Sequence, residues 1–501
     1  MDDPLTLTLD FSRPLVAGGA ALLALIFFSW LIYLTLPEAE GKEGPLHKLR
    51  AALGMERLPH ALILSILALY TALAGILILG LFGLIVDTLH ASGRSNDYLF
   101  YVLRIGGLTA VLGAVIALPF TVIRLRLTQE QTETARESLF NDKINEATKG
   151  LYARRQVTLG EGAEAKDHWQ DDIVQRNAAI DRLEGLAHEK PTEVPRIARL
   201  LSVYVRELST EVPAQVAPKD ATPDELEAWA NNLPKLRSDM EKAAQTLGQI
   251  SEIREYAISS DDIDLAGANL QNANLSSRTY SRANFRGAHL QNANLSWTNF
   301  DYAQLSDAKM QCVELISASL QNASLTRTLL QGALLCHAEL NAARLQMTDF
   351  HGADMSDAIL SDAVLLQTCF TETDLQRADF QSAWFIKADL RHADLSDANF
   401  KGAHLGSARM QGANLSCARF HKKTSFGVVD LTGAGIQGVD FSSFKGFPQN
   451  LDTVFGDAST SLPSRVGDYP NWKHYDLDTG EFEEAWRAWQ ATLPPGWDQP
   501  D

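Results

Sequence analysis

Apolar residues recur along the chain with three different periods. Residues 15–36 (LVAGGAALLALIFFSWLIYLTL) and 61–86 (ALILSILALYTALAGILILGLFGLIV) hold no charge. A third apolar stretch, 101–123, is uncharged from Ile105 to Ile123, between Arg104 and Arg124. Each is long enough to cross a hydrocarbon core of about 30 Å as a helix. The pattern predicts a membrane anchor of three transmembrane helices over residues 1–123. Beyond Ile123 no Pro or Gly interrupts the chain until Gly150, so the third helix is expected to run on out of the bilayer. Residues 124–260 then predict a cytoplasmic α-helical neck, with helices near 169–188, 192–209 and 223–250. In the first of these, Ile173, Ala178, Ile180, Leu183 and Leu186 approximate one helical face.

From residue 265 the period becomes five. Every fifth residue from Leu265 to Phe420 is Leu, Phe, Met or Tyr, giving 32 such centres in succession. The residue two before each centre is Ala in 24 cases; among the exceptions are five threonines (Thr298, Thr328, Thr348, Thr368 and Thr373) and Arg278. Residues two apart share a face of an extended chain, and an odd step reverses it. Inward positions spaced 2, 3, 2, 3 therefore describe a chain that turns once in every five residues. The result is a solenoid with an apolar axis, in which only small side chains fit beside the bulky centres. The register slips by one at Ser425 and resumes at Phe426, Leu431, Ile436 and Phe441, which predicts a further coil after a one-residue bulge. Arg278 in an inward slot predicts an imperfect first coil. An outward change such as Gln321→Glu is expected to be nearly neutral.

The motif A(D/N)LXX, as in ADLRHADLSDANFKGAHL at 388–405, resembles the pentapeptide-repeat family over residues 261–445. That resemblance implies a right-handed quadrilateral β-helix with four repeats per turn. On it, Phe380, Phe400 and Phe420 stack in one column and Leu295, Leu315 and Leu335 in another. The juxtamembrane AAIDRLEGLAH and ARLLSVYVREL resemble segments of bacterial membrane-anchored pentapeptide-repeat proteins, which implies a shared architecture and no known chemistry. Solenoid ends need covering. The helix before residue 260 is expected to cap one end. Residues 446–501 are expected to form an acidic, aromatic cap on the other, with Phe482, Trp486 and Trp489 on one helical face.

Charge narrows the function. The segments 1–123, 124–260, 261–423 and 424–501 carry net charges of −2, −5, −3 and −8. None is basic, which argues against direct binding of nucleic acid. The Lys and Arg residues flanking the spans (Lys42, Lys48, Arg50 and Arg57; then Arg124, Arg126 and Arg136) place the N-terminus outside and everything after residue 124 in the cytoplasm of a bacterial inner membrane. Cys312, Cys336, Cys369 and Cys417 form no CxxC pair, which fits a reducing compartment. No ionisable residue lies inside an uncharged run, so an anchor is expected rather than a transporter.

Motifs of chemistry are few. GAGIQG (433–438) matches a dinucleotide fingerprint, but Leu431, Ile436 and Phe441 keep the fivefold register through it. Cys336 beside His337 has no recurring partner. No catalytic residue, cofactor site or metal site is assigned, and the chain is read as no enzyme. One surface feature stands out: Asp354, Asp374 and Asp394 lie twenty apart and are expected to stack, a candidate partner-binding column. The expected function is an interaction scaffold that presents the β-helix to an unidentified protein partner. Two alternatives remain. Some members of the resembled family mimic DNA and bind type II topoisomerases, and the chain would otherwise be an accessory subunit of another membrane protein.

Overall fold

A computed structural model describes residues 60–90, 95–159, 166–219, 221–253, 262–442, 451–462, 469 and 471–497. The expected first span, 15–36, lies outside them. The chain divides into two compact units, Met1–Asp142 and Lys143–Asp501.

The first unit contains α1 (His60–His90) and most of α2 (Ser95–Leu151). Both expected runs, 61–86 and 101–123, are helical, and α2 continues unbroken to Leu151. Among the described residues, two stretches are long and apolar enough to cross a membrane, Ile66–Val86 and one that begins at Val102. The two helices lie side by side: the Tyr70 hydroxyl donates to the Val115 carbonyl, and Gly80 faces Leu108.

The second unit opens with a helical layer. After α2 come an antiparallel hairpin, β1 (Arg154–Leu159) and β2 (Lys166–Asp171), then α3 (Ile173–Glu189), α4 (Val194–Glu211), α5 (Pro223–Ala230) and α6 (Ser238–Ile250). Two expectations need correction. The helix expected from 169 starts at Ile173, because 166–171 pair with 154–159 as strand. The helix expected over 223–250 is two: α5 is closed at its start by a Thr222–Glu225 capping box and ends at Ala230, and α6 begins past Pro234. The apolar faces of α3, α4 and α6 pack on one another through Ile180, Leu183, Leu201, Val205, Met240 and Leu247, all fully buried.

A β-helix follows. Parallel bridges join each residue before a centre to the one twenty positions on, from Asp264↔Asn284 to Asn399↔Arg419. Four repeats therefore make one turn. Each side is held by backbone bonds to its neighbours, as in Leu265 N–H to Asn284 C=O (2.7 Å) and Asn284 N–H to Ile263 C=O (2.9 Å). The bulge expected at Ser425 is present: the bridges become His404↔Ser425, Arg409↔Asp430 and Asn414↔Gly435, each twenty-one apart, and a ninth coil forms. β3 (Gly435–Ile436) pairs with β4 (Phe455–Gly456), and a bridge joins Asp440 to Ser461, so the ladder continues to Ser461. GAGIQG is thus part of the coil.

Every centre from Leu265 to Met410 is 0% exposed. Rings stack along the bore: Phe380 on Phe400 and Phe400 on Phe420 at 5.2 Å each, as expected, and also Phe350 on Phe370 at 5.1 Å. The buried threonines are satisfied by the coil before. Thr328 and Thr368, for example, donate to Leu305 C=O (2.8 Å) and Leu345 C=O (2.7 Å). A Thr hydroxyl therefore fits the Ala slot without an orphaned polar group. At each corner the chain makes a turn whose third residue has φ between 55° and 76°, at every position from Gly267 to Cys417.

Both ends of the β-helix are covered. Interior coils satisfy the N–H before each centre with a carbonyl of the previous coil; the first coil has none. Instead Asp264 N–H reaches Ser202 Oγ (3.3 Å), Asn269 N–H reaches Ser209 Oγ (2.9 Å) and Asn274 N–H reaches Glu241 Oε1 (2.8 Å). α4 and α6 thus finish the sheet edge. Arg278 is half-buried, and Gly248 of α6 lies close against its Cβ. At the far end, α7 (Thr479–Gln490) lays Phe482 and Trp486 over β3 and β4, and Trp486 Nε1 donates to Gly433 C=O (2.8 Å). A Cβ on Gly435 would stand 2.8 Å from the Trp486 ring, so the indole closes on bare backbone.

Candidate functional site

The solenoid has four sides, with centres in the series Leu265, Leu270, Leu275 and Tyr280, here called first to fourth. The residue before each centre points outward from a side; the two after it form the corner. Asp or Asn in the outward slot accepts the backbone N–H two residues on, closing the corner as an Asx turn. Ser356 N–H to Asp354 Oδ1, Gln376 N–H to Asp374 Oδ1 and Ser396 N–H to Asp394 Oδ1 each measure 3.0 Å. This geometry is the reason for the D/N of the motif.

The third side brings Asp354, Asp374 and Asp394 into one column, joined by successive bridges. Its charge is partly offset. Gln376 Nε2 donates to Asp394 Oδ2 (3.0 Å), and Asn414 Nδ2 to Asp394 Oδ1 (3.1 Å). Burial, then the carboxylates above and below, push the Asp374 carboxyl above its usual range. Asp354, at the end of the row, is held below that range against burial by the Ser356 backbone N–H and the side chains of Cys336 and Ser356. Arg377 is engaged with Asp357, Nη2 to Oδ2 at 2.6 Å, rather than with the column.

The first side, opposite, carries a feature that sequence reasoning missed. Val364 and Trp384 occupy successive outward slots, Leu366 and Ile386 the corner beside them, and Met347 the same corner one coil earlier. Leu366, Trp384, Ile386 and Met347 are exposed, Trp384 by 49%. Elsewhere that side presents Asp264, Asn284, Gln304, Ser324 and Arg344 in the same outward column. The signal was available as apolar residues twenty apart in outward slots. The Trp384 ring packs on His404 at 4.8 Å between centroids.

Gln321, where Glu was expected to be nearly neutral, stands at a corner and is hydrogen-bonded. Its Nε2 donates to Glu339 Oε2 (2.6 Å) and its backbone N–H to Asp301 Oδ1 (3.1 Å). A carboxylate there would face two others. Among the described residues no group of three or more His, Cys, Asp or Glu is placed to hold a metal ion.

The family model of pentapeptide repeats matches eight copies, over residues 281–311, 318–357, 358–397 and 393–422. None of the curated proteins matches the chain. Several solved structures are similar. HetL, a pentapeptide-repeat protein involved in heterocyst differentiation regulation in the cyanobacterium Nostoc, is 28% identical; the match covers 43% of this chain and 86% of HetL, with a TM-score of 0.28. Trypsin-treated QnrB1, a plasmid-mediated fluoroquinolone resistance protein, is 19% identical over 40% of this chain and 97% of its own, with a TM-score of 0.27. Rfr23 of the cyanobacterium Cyanothece is 31% identical over 18% of this chain and 63% of its own, with a TM-score of 0.12. The repeat signature over 281–422 and the twenty-residue ladder coincide, and the chain carries a pentapeptide-repeat domain.

Proposed function

We propose that the chain is a membrane-anchored, non-enzymatic interaction scaffold that presents its β-helix to a protein partner in the cytoplasm. The observation that carries this reading is the apolar island of Val364, Leu366, Trp384, Ile386 and Met347 on an otherwise polar side. Exposed apolar surface gathered in one place, rimmed by polar residues, is characteristic of protein contact. A solenoid supports such a surface rigidly and needs no pocket. The anchor reading is supported by α1 and α2, whose Leu79, Phe82, Leu118 and Phe120 are exposed by 60% or more. A bilayer removes that surface from water, worth about 25 cal/mol per Å². The Lys/Arg bias across the spans supports an outside N-terminus and a bacterial inner membrane.

The test is a pull-down from membranes with the full chain and two variants. Leu366→Ser, Trp384→Ser and Ile386→Ser together are expected to lose the partner. Lysine at Asp354, Asp374 and Asp394 together is expected to keep it. Capture unchanged by the first variant sinks the reading, and release of the chain by carbonate washing sinks the anchor.

The stacked carboxylates favour a second reading, a DNA mimic directed at a type II topoisomerase. It predicts that the soluble unit from Lys143 onward alters gyrase supercoiling and that the triple Lys variant does not. Supercoiling unchanged by the unaltered unit removes it.

A further inference from the structure

The chain leaving α4 runs along the corner that follows the second side. There Gln215 and Gln271 exchange two hydrogen bonds: Gln215 N–H donates to Gln271 Oε1, and Gln271 Nε2 donates to Gln215 C=O, both at 2.8 Å. A glutamine side chain in this corner slot reads both groups of a peptide main chain. The same slot twenty, forty and sixty residues on is again glutamine: Gln291, Gln311 and Gln331. Gln291 is 1% exposed and Gln311 5%. Gln291 Oε1 accepts from Gln271 Nε2 (3.1 Å), but its own Nε2 has no partner. Neither does Oε1 of Gln311 or of Gln331, although Gln331 Nε2 donates to Asp349 (2.7 Å).

Open space adjoins these residues. A cavity of about 280 Å³ lies between Val216–Lys219 and the Gln291–Gln311 pair, and one of about 420 Å³ continues past Leu226 to Gln331 and His351. Buried amide atoms without a partner destabilise a fold, and each calls for a reason. Here one donor and two acceptors line one groove, beside a fourth glutamine of the same column that is already engaged with main chain.

We propose that this groove binds an extended peptide. A peptide C=O accepts from Gln291 Nε2, and peptide N–H groups donate to Gln311 Oε1 and Gln331 Oε1, continuing what Gln215 does at Gln271. Recognition by uncharged amides selects main chain rather than a charged side chain, in the manner of strand-addition sites. The site is separate from the apolar island and stands without it.

The probe is a library of random linear peptides, panned on the full chain in detergent. Enriched peptides are resynthesised and titrated by fluorescence anisotropy against the wild type and the Gln291→Leu, Gln311→Leu double variant. Leucine keeps the shape and removes the amide. The expected result is a loss of about tenfold or more in affinity, with a melting temperature equal to or above that of the wild type. If the double variant does not fold, Gln331→Leu is read by affinity alone, because it also removes the bond to Asp349. Enrichment no better than on detergent alone, equal binding by the variants, or a melting temperature that falls in a folded double variant would overturn the proposal; the last would mean that buried water alone satisfies the column.

Discussion

Each corner of the β-helix is held by a residue in the left-handed region, and 25 of these carry a side chain. Glu372 is one, with φ 57° and an exposed side chain on the corner after Phe370. Its backbone is fully used: Glu372 N–H donates to Arg391 C=O (3.0 Å), and Thr373 N–H closes the turn on Phe370 C=O (3.3 Å). The substitution Glu372→Gly keeps both bonds. It removes a left-handed penalty of about 1–2 kcal/mol for an L-residue. Against this stands the greater freedom of glycine in the unfolded chain, about 0.5–1 kcal/mol. The net expectation is a gain of roughly 0.5–1 kcal/mol. Glu372→Val moves the other way, because a β-branched residue at positive φ is an outlier; a loss of about 1–3 kcal/mol is expected. The 25 residues fit this account, since none is Val, Ile or Thr, whereas Ile316, Thr326 and Ile386 occupy the preceding corner position. The assay is thermal unfolding of the full chain in detergent, followed by the circular dichroism of the strands. At roughly 2–4 °C per kcal/mol the order Gly above wild type above Val is resolvable. A glycine variant that melts below the wild type, or a valine variant that melts with it, refutes the reasoning.

The same melt tests four further substitutions. Leu335→Ala, at a centre with 0% exposure, should cost about 2–5 kcal/mol, and a loss under about 1 kcal/mol would mean the bore collapses around the gap. Ala393→Leu, beside Leu395 at 1% exposure, should cost about 1–3 kcal/mol by overpacking; an unchanged melt would show slack in the bore. Gln321→Glu should lower the melting temperature by opposing Asp301 and Glu339, and wild-type stability would argue against that geometry. Asp374 has a folded-state pKa above its ordinary value, so the folded state binds more protons than the unfolded one in that window, and stability falls as pH rises through it. Asp374→Asn should therefore melt higher than the wild type at neutral pH, with the advantage vanishing as pH falls below the ordinary carboxylate range. A lower melt at neutral pH counts against the column's repulsion.

What sequence could reveal depended on whether one narrow geometry imposed the pattern. The bore imposes Leu or Phe at each centre and Ala beside it, so register, bulge and ring columns were all readable. The corner rule was present but hidden, since it shows only as residue types that never occur. The hairpin 154–171 was not readable: RRQVTL and KDHWQD pair only with each other and keep no strict alternation of apolar and polar positions. The apolar island was overlooked because its members lie twenty apart rather than in sequence. The break between α5 and α6 had a signal in Pro234, outweighed by the apolar residues on either side.

The edge residues were beyond sequence for a different reason, and they bear on any test that uses a piece of this chain. Ser209 and Glu241 belong to no motif, and nothing in ARLLSVYVREL sets Ser202 apart; the role of all three is set by where the first coil's N–H groups point. A fragment cut at residue 261, where the repeats begin, lacks all three. Water would take up the freed N–H groups, but Ile263, Leu265 and Leu270, each 0% exposed in the intact unit, would lose their cover. An open strand edge above a bare apolar bore is a template for pairing with another copy. Any activity or aggregation of such a fragment would then report the missing cap. The compact unit from Lys143 onward retains the helices that finish the sheet. The β-helix and its helical layer are therefore one folding problem: the solenoid supplies the repeating surface, and α4 and α6 supply the boundary that lets it stop.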